Sequence, residues 1–181
     1  GDYGTRLFAV TGFAFPLFAL PAAIYSTREL ALPAGLFHTL SLLNYLGALV
    51  YGAAFAAIFL AHPRRIVSPV VLAAFPIAGL MWWMLTALGI LNDPGWSVRL
   101  PTLCLMLAAL VFAVVQWRLS RSQIIDRAAL RWLLLSLLLG AGLYIASQVV
   151  SGILGWAPPI PQGYAFGFFL IIYLGIALGL S

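Results

Sequence analysis

The side chains with the most chemical capacity in this sequence are neutral amides, phenols, indoles and hydroxyls that interrupt long apolar runs. Asn44 and Tyr51 fall on one predicted helical face, and Tyr144, Gln148 and Ser151 follow one another at i, i+4, i+7 spacing. Groups of this kind orient a ligand by hydrogen bonds and ring contacts. The pattern predicts a mostly apolar cavity for a small amphipathic or apolar ligand. The predicted ligand-binding residues are Asn44, Tyr51, Trp82, Trp83, Tyr144, Gln148 and Ser151.

A second interpretation of the same residues is structural. An amide facing lipid would leave its hydrogen-bonding groups unsatisfied, so Asn44 and Gln148 are predicted to point into a helix bundle. There the polar groups would bond to one another and hold the helices together, at about 0.6 kcal/mol per hydrogen bond. Both interpretations stay open at this point, because a single sequence does not place the two helical faces against each other.

Acid–base, metal and redox chemistry have little support in the sequence. None of the nine basic and four acidic residues lies near the middle of an apolar run. His38 and His62 lie at opposite ends of one predicted helix, about 36 Å apart at 1.5 Å per residue. Cys104 is the only cysteine, which excludes an intrachain disulfide. We therefore predict no catalytic residue, no metal site, no cofactor and no enzymatic activity within this chain.

Long apolar runs are the elements that must position the polar side chains. The chain is 64% hydrophobic and 7% charged, whereas soluble domains are about 25% charged. A helix needs about 20 residues to cross about 30 Å of hydrocarbon. The sequence contains such runs at 7–25, 37–61, 67–91, 100–117, 129–155 and 163–181. The predicted fold is an all-α integral membrane protein, in which residues 1–181 form one domain with a six-transmembrane-helix bundle.

The arginines predict how this bundle is oriented. The loop after the second run contains Arg64 and Arg65, and the loop after the fourth contains Arg118 and Arg121. Arginine-rich loops stay on the cytoplasmic side of a bacterial membrane. Both termini are then cytoplasmic, and the protein is predicted to cross the cell inner membrane several times. Topology also accounts for the sequence pI of about 9.9, so no nucleic-acid partner is predicted.

Small residues at four-residue spacing indicate where helices approach closely. Helix association within lipid depends on close packing and polar contacts, because lipid tails are as apolar as leucine. The predicted packing residues are Ala48 with Gly52 in the second run and Gly175 with Gly179 in the last. We expect them to pack within this chain, and a seam between two copies is the alternative.

Three segments suggest a family. DRAALRWLLL at 126–135, AHPRR at 61–65 and LGIALGLS at 174–181 resemble the multi-pass membrane region of bacterial sensor histidine kinases, the quorum-sensing kinases in particular. The resemblance implies a role in two-component signal transduction and a homodimer formed through a continuation beyond Ser181. It does not imply kinase activity for these residues, because the sequence contains no phospho-accepting histidine segment and no nucleotide-binding motif.

The predicted function is that of a membrane-embedded sensor module. It would sense an amphipathic or apolar ligand, or the state of the bilayer, and pass the signal through its last helix to a cytoplasmic output domain. One alternative is a structural or accessory subunit that binds its partner through the small-residue stripes. Another is a transporter of a neutral solute, which the lack of charged coupling residues in the apolar runs disfavours.

Overall fold

Helices make up all the regular structure of the residues described in the computed structural model, which are 3–26, 31–62, 64–119, 124–165 and 167–180. Two π-helical segments extend α-helices. Gly95–Arg99 leads into the helix Leu100–Leu119, and Ile145–Val150 continues the helix Ile124–Tyr144 to a last turn at Ser151–Ile153. The prediction of an all-α fold is confirmed. The helices are α1 (Tyr3–Ser26), α2 (Ala34–Ala61), α3 (Pro69–Ala87), α4 (Leu100–Leu119), α5 (Ile124–Tyr144), α6 (Gln162–Ala165) and α7 (Phe168–Leu180).

Within the described residues, five helical stretches are long and apolar enough to cross a membrane, and they overlap the first five predicted spans. They fit a multi-pass membrane protein. The sixth predicted span is not among them, because a turn at Gly167 precedes α7 and the 13 residues of α7 measure only about 20 Å. Residue 181, the predicted end of that span, lies outside the described residues. The five stretches are Arg6–Ser26, Ala34–Ala61, Pro69–Ala87, Gly95–Leu119 and Leu134–Ile153.

The ends of α3 show why this helix is shorter than the predicted run at 67–91. At its start the Ser68 hydroxyl accepts a hydrogen bond from the Val71 amide at 3.4 Å, and Pro69 occupies the first helical position. Beyond its end Gly89 has a φ of 71°, a left-handed conformation that glycine adopts readily and that stops a helix. The apolar residues after Gly89 therefore belong to the loop before α4.

The central helix is α2, on which α1, α3 and α4 all pack. Every residue from 47 to 57 except the partly buried Val50 is buried, including the predicted packing residue Ala48. The closest approach is at Gly47, where an added Cβ would lie 2.6 Å from the Leu17 carbonyl carbon of α1. At Gly52, another predicted packing residue, a Cβ would lie 3.1 Å from the Leu105 side chain of α4. Glycine at these positions lets neighbouring helices approach the axis of α2.

A second close pair consists of α5 and α7. A Cβ added at Gly140 would lie 2.6 Å from the Phe168 carbonyl oxygen. Gly175 faces Ser136 of α5, and its added Cβ would lie 3.0 Å from the Trp132 carbonyl oxygen. Gly175 therefore packs within this chain. Gly179, its predicted partner at four-residue spacing, lies in α7, but its surroundings are outside the described part of the structure.

Aromatic rings join these two groups of helices. The Phe169 ring of α7 lies 5.6 Å from the Phe18 ring of α1, 5.5 Å from the Tyr51 ring of α2 and 4.8 Å from the Tyr144 ring of α5. These centroid distances are typical of favourable aromatic pairs, which contribute about 0.5–1.5 kcal/mol beyond the area they bury. The cluster fixes the position of α7 against the other helices.

Candidate ligand-binding site

A cavity of about 320 Å³ lies where the facing ends of α1 and α2 meet the start of α4 and the π-helical continuation of α5. We call it the Arg99 cavity. Its volume is at the lower end of the range of about 300–1,000 Å³ that small-molecule sites occupy. Its walls are largely aromatic and aliphatic. The hydrogen-bonding residues along it, apart from Tyr144, are Tyr25, Ser41, Asn44, Tyr45, Arg99, Thr102 and Gln148.

The structure brings together three of the predicted ligand-binding residues, Asn44, Tyr144 and Gln148, in the wall of this cavity. The Asn44 side chain is 3% exposed, and its Nδ2 donates to the Phe18 carbonyl oxygen at 2.6 Å. Nε2 of Gln148 donates to the Ile160 carbonyl oxygen at 2.7 Å, which ties α5 to the proline-rich loop after it. Each amide therefore holds a backbone segment in place and also lines the cavity.

The other four predicted ligand-binding residues do not line the cavity. Tyr51 is 1% exposed within the aromatic cluster, and Ser151 is buried in the last turn of the α5 continuation. On α3, the Trp83 indole donates to the Leu42 carbonyl oxygen at 2.9 Å and the Trp82 indole donates to the Trp96 carbonyl oxygen at 3.2 Å. No described residue of α3 lines the cavity.

Sequence reasoning missed Arg99, the one charged residue among the described residues of the cavity wall. Its Nη1 donates to the Gly152 carbonyl oxygen at 3.0 Å. A Cβ added at Gly152 would lie 2.8 Å from the guanidinium carbon, so glycine at this position leaves room for the Arg99 side chain. One signal in the sequence was the i, i+3 spacing of Arg99 and Thr102, which places both on one face of a helix. This spacing is informative only if the helix begins before residue 100, and the helical segment Gly95–Arg99 meets that condition.

The positive charge of Arg99 is not matched by a neighbouring described carboxylate. Asp93 is the one acidic residue whose side chain the structure describes. Its Oδ2 accepts a hydrogen bond from the Trp96 amide at 3.1 Å, which caps the π-helical segment. Within the described residues, no ion pair joins Asp93 to Arg99. Among the described residues, Arg99 therefore gives the cavity wall one positive charge and no negative one.

Thr102 also lies in the wall of this cavity, although its hydroxyl oxygen is enclosed rather than open to the cavity space. The residue is 5% exposed, and its Oγ1 has no hydrogen-bond partner in the described structure. A buried hydroxyl without a partner costs about 1–3 kcal/mol. Tyr45 also lines the cavity, and its phenol lies within electrostatic reach of the Arg99 guanidinium. The site thus offers several hydrogen-bond donors around one cation.

A larger groove of about 770 Å³ lies between α4 and α5 but is a weaker candidate. Leucine and valine side chains and the indoles of Trp117 and Trp132 line it, and Arg131 is the one charged residue among the described residues of its wall. It lacks the convergent polar groups that orient a small molecule. Among the described residues, no group of three His, Cys, Asp or Glu side chains is close enough to hold a metal ion.

No protein family, characterised protein or solved structure matches this chain. The class that its own fold and site define is an all-helical protein with five helices that fit a multi-pass membrane protein. A cavity with one arginine and several neutral hydrogen-bonding groups lies at one end of the bundle. The resemblance to sensor histidine kinases stays a prediction.

Proposed function

We propose that this chain is the membrane-embedded sensor module of a bacterial signal-transduction protein, and that the Arg99 cavity binds its ligand, a small amphipathic or apolar molecule. The observation that carries the proposal is the composition of the cavity wall, to which α1, α2, α4 and the α5 continuation all contribute. A ligand held by four segments has an affinity that depends on how they are packed. Binding then shifts the population toward the packing that it prefers.

The route to an output domain runs through α5 and α7. Tyr144 lines the cavity and its ring lies 4.8 Å from the Phe169 ring at the start of α7. Further along, Gly140 and Gly175 let α5 and α7 pack closely. The cavity also touches the π-helical segment Ile145–Val150, a type of helical turn that occurs frequently at functional sites. A displacement of α5 by the ligand would therefore move α7.

In this proposal α7 is part of a sixth span in the inner membrane, with both termini in the cytoplasm and a homodimer formed beyond Ser181. The sensor resemblance and the placement of the arginines support this arrangement. An accessory subunit that binds its partner through the last helix is less well supported, because Gly175 is occupied by the contact with Ser136 of α5.

The orientation predicts which loops can be labelled from outside the cell. We expect Asn92→Cys to react in intact cells with a maleimide that does not cross membranes, and Ser68→Cys to react only after permeabilisation. Both positions are exposed in loops at opposite ends of α3, and Cys104→Ser provides the background. Labelling of both from the same side would rule out α3 as a span, and the reverse pattern would contradict the assignment of the arginine-rich loops to the cytoplasm.

Ligand binding is tested with the full chain in phosphatidylcholine nanodiscs and with tritiated octanol and octanoate as probes. We expect saturable binding of at least one probe. Ala48→Trp should abolish it by filling the cavity, and Gln148→Leu should weaken it several-fold. Val70→Trp, at a position 77% exposed on α3, is the matched control and should bind as the wild type does. Thermal unfolding confirms that each variant is folded, and undiminished binding in both cavity variants would disprove the site.

A fluorophore on Leu174→Cys, an exposed position of α7, tests whether the signal reaches this helix. Its emission should change when the probe binds to the otherwise wild-type protein and should stay constant in the Ala48→Trp background. A fluorophore on Val70→Cys of α3 is the control, and it reports any change in emission that does not depend on α7. An equal response at both labels would show that binding does not act on α7 selectively.

A further inference from the structure

We infer that the Arg99 cavity takes an anionic headgroup, a carboxylate or a phosphate monoester carried on an apolar tail, and that Arg99 and Thr102 bind this headgroup. This inference rests on the proposed function, since it names the ligand class of the same cavity. The two residues lie one helical turn apart at the start of α4 and both line the cavity.

The first argument is the free binding capacity of Arg99. A guanidinium has five N–H donors in a planar fork that matches the oxygens of a carboxylate or phosphate. The contact with Gly152 uses Nη1, and the described carboxylate of Asp93 is bonded to the Trp96 amide instead. Arg99 is exposed, so its other N–H groups are open to a ligand, and an anion would supply the counter-charge that no described carboxylate provides. A neutral alcohol would supply only one acceptor.

The second argument is the buried hydroxyl of Thr102. Thr102 lines the cavity and is 5% exposed, and no described residue forms a hydrogen bond with its hydroxyl. Because Oγ1 is enclosed, a rotation about χ1 must first turn it toward the cavity. It would then donate to a headgroup oxygen that Arg99 also contacts, because the i, i+3 spacing places both side chains on one helical face. The Tyr45 phenol offers a further donor on the α2 side of the cavity.

The remaining walls suit an apolar tail. Phe18, Phe37 and Val149 line the cavity beside the polar groups. A volume of about 320 Å³ fits one short chain better than the two long chains of a phospholipid. A free amphiphile and a lipid of the bilayer present the same headgroup chemistry, so the experiment must distinguish the two sources.

Gly152 gives a way to move Arg99 without removing it. A Cβ at this position would meet the guanidinium carbon at 2.8 Å and Nε at 2.9 Å. Since these atoms are at the far end of a flexible side chain, Gly152→Ala should displace the guanidinium and leave the fold intact. Gly142→Ala is the matched control, because no atom lies within 4 Å of an added Cβ there.

The test compares octanoate and octyl phosphate with octanol, all tritiated, on the full chain in phosphatidylcholine nanodiscs. We expect the wild-type protein to bind the two anions at least about tenfold more tightly than octanol, as charge-assisted hydrogen bonds would give. In Arg99→Gln and Gly152→Ala this preference should fall to near one, and in Thr102→Val it should fall severalfold. Arg131→Gln, which removes an exposed arginine from the other groove, should keep the full preference.

Equal affinity for octanoate and octanol, with both lost in Ala48→Trp, would overturn the headgroup inference and leave the proposed function standing. If no probe binds saturably, the proposed function itself fails. Nanodiscs that contain phosphatidylglycerol identify the source of the anion. If phosphatidylglycerol competes with octanoate, and this competition disappears in Arg99→Gln, the natural ligand is a bilayer lipid. If phosphatidylglycerol leaves octanoate binding unchanged, the natural ligand is a free amphiphile. Both results agree with an anionic headgroup.

Discussion

Gly47→Ala is expected to destabilise the helix bundle by about 1–3 kcal/mol, the usual cost of overpacking. The added Cβ would lie 2.6 Å from the Leu17 carbonyl carbon and 2.8 Å from the Phe18 Cα. These are backbone atoms, so no change of side-chain rotamer relieves the clash, and α1 must move away from α2. That movement also strains the hydrogen bond from Asn44 to the Phe18 carbonyl oxygen. Thermal or denaturant unfolding of the full chain in nanodiscs measures the loss.

Gly12→Ala is the control for this prediction. Gly12 lies in the middle of α1, and no atom is within 4 Å of a Cβ added there. Alanine favours a helix over glycine by about 1 kcal/mol, so the stability of Gly12→Ala should stay the same or rise. The close approach of α1 and α2 would be contradicted if Gly47→Ala were as stable as Gly12→Ala.

Gly140→Ala is expected to have an effect of similar size on the pair formed by α5 and α7, again about 1–3 kcal/mol. Its Cβ would lie 2.6 Å from the Phe168 carbonyl oxygen and 2.8 Å from the Ile172 side chain. Ile172 can rotate, but the carbonyl of α7 cannot, so the two helices must separate. We expect a lower unfolding midpoint and an altered emission of a fluorophore on Leu174→Cys even without a probe ligand.

The control lies only two positions away on the same helix. An added Cβ at Gly142 meets no atom within 4 Å, so Gly142→Ala should keep the wild-type unfolding midpoint or raise it slightly. Comparable losses in Gly140→Ala and Gly142→Ala would mean that alanine is unfavourable throughout this part of α5, and that the contact with α7 is not the cause.

Much of the helical structure could be predicted from the sequence because apolar runs and their breaks are local features. The second run, 37–61, corresponds to α2 within three residues at its start and none at its end. The sequence placed the end of α3 later than the structure does. Nothing in the sequence around Gly89 indicates that this glycine adopts a left-handed conformation and ends the helix. The break at Gly167 was missed, since the residues around it are as apolar as the helix that follows.

The site could be predicted only in part, and the reason is geometric. Spacing along a helix sets the depth of a residue, but not which neighbouring helix it faces. Tyr144 and Gln148 were predicted to share one face of a helix, and both line the cavity. Trp82 and Trp83 were expected near the same ligand, yet they lie on α3 and donate to backbone carbonyl oxygens elsewhere. The spacing of residues along the sequence does not distinguish a side chain that lines the cavity from one that bonds to a backbone carbonyl oxygen elsewhere.

The sequence by itself determined that this chain forms long apolar helices with its charges in the loops and at the helix ends, because backbone polar groups within an apolar environment must be satisfied inside helices. Only the tertiary structure decided that Arg99 lines a cavity rather than a loop surface, and that Gly47 and Gly140, outside the predicted packing pairs, lie against the backbone of a neighbouring helix. Helix formation depends on residues that are close in the chain, whereas a cavity depends on which face each of several helices turns toward the others. That rotation is set by side-chain packing among residues that are distant in sequence.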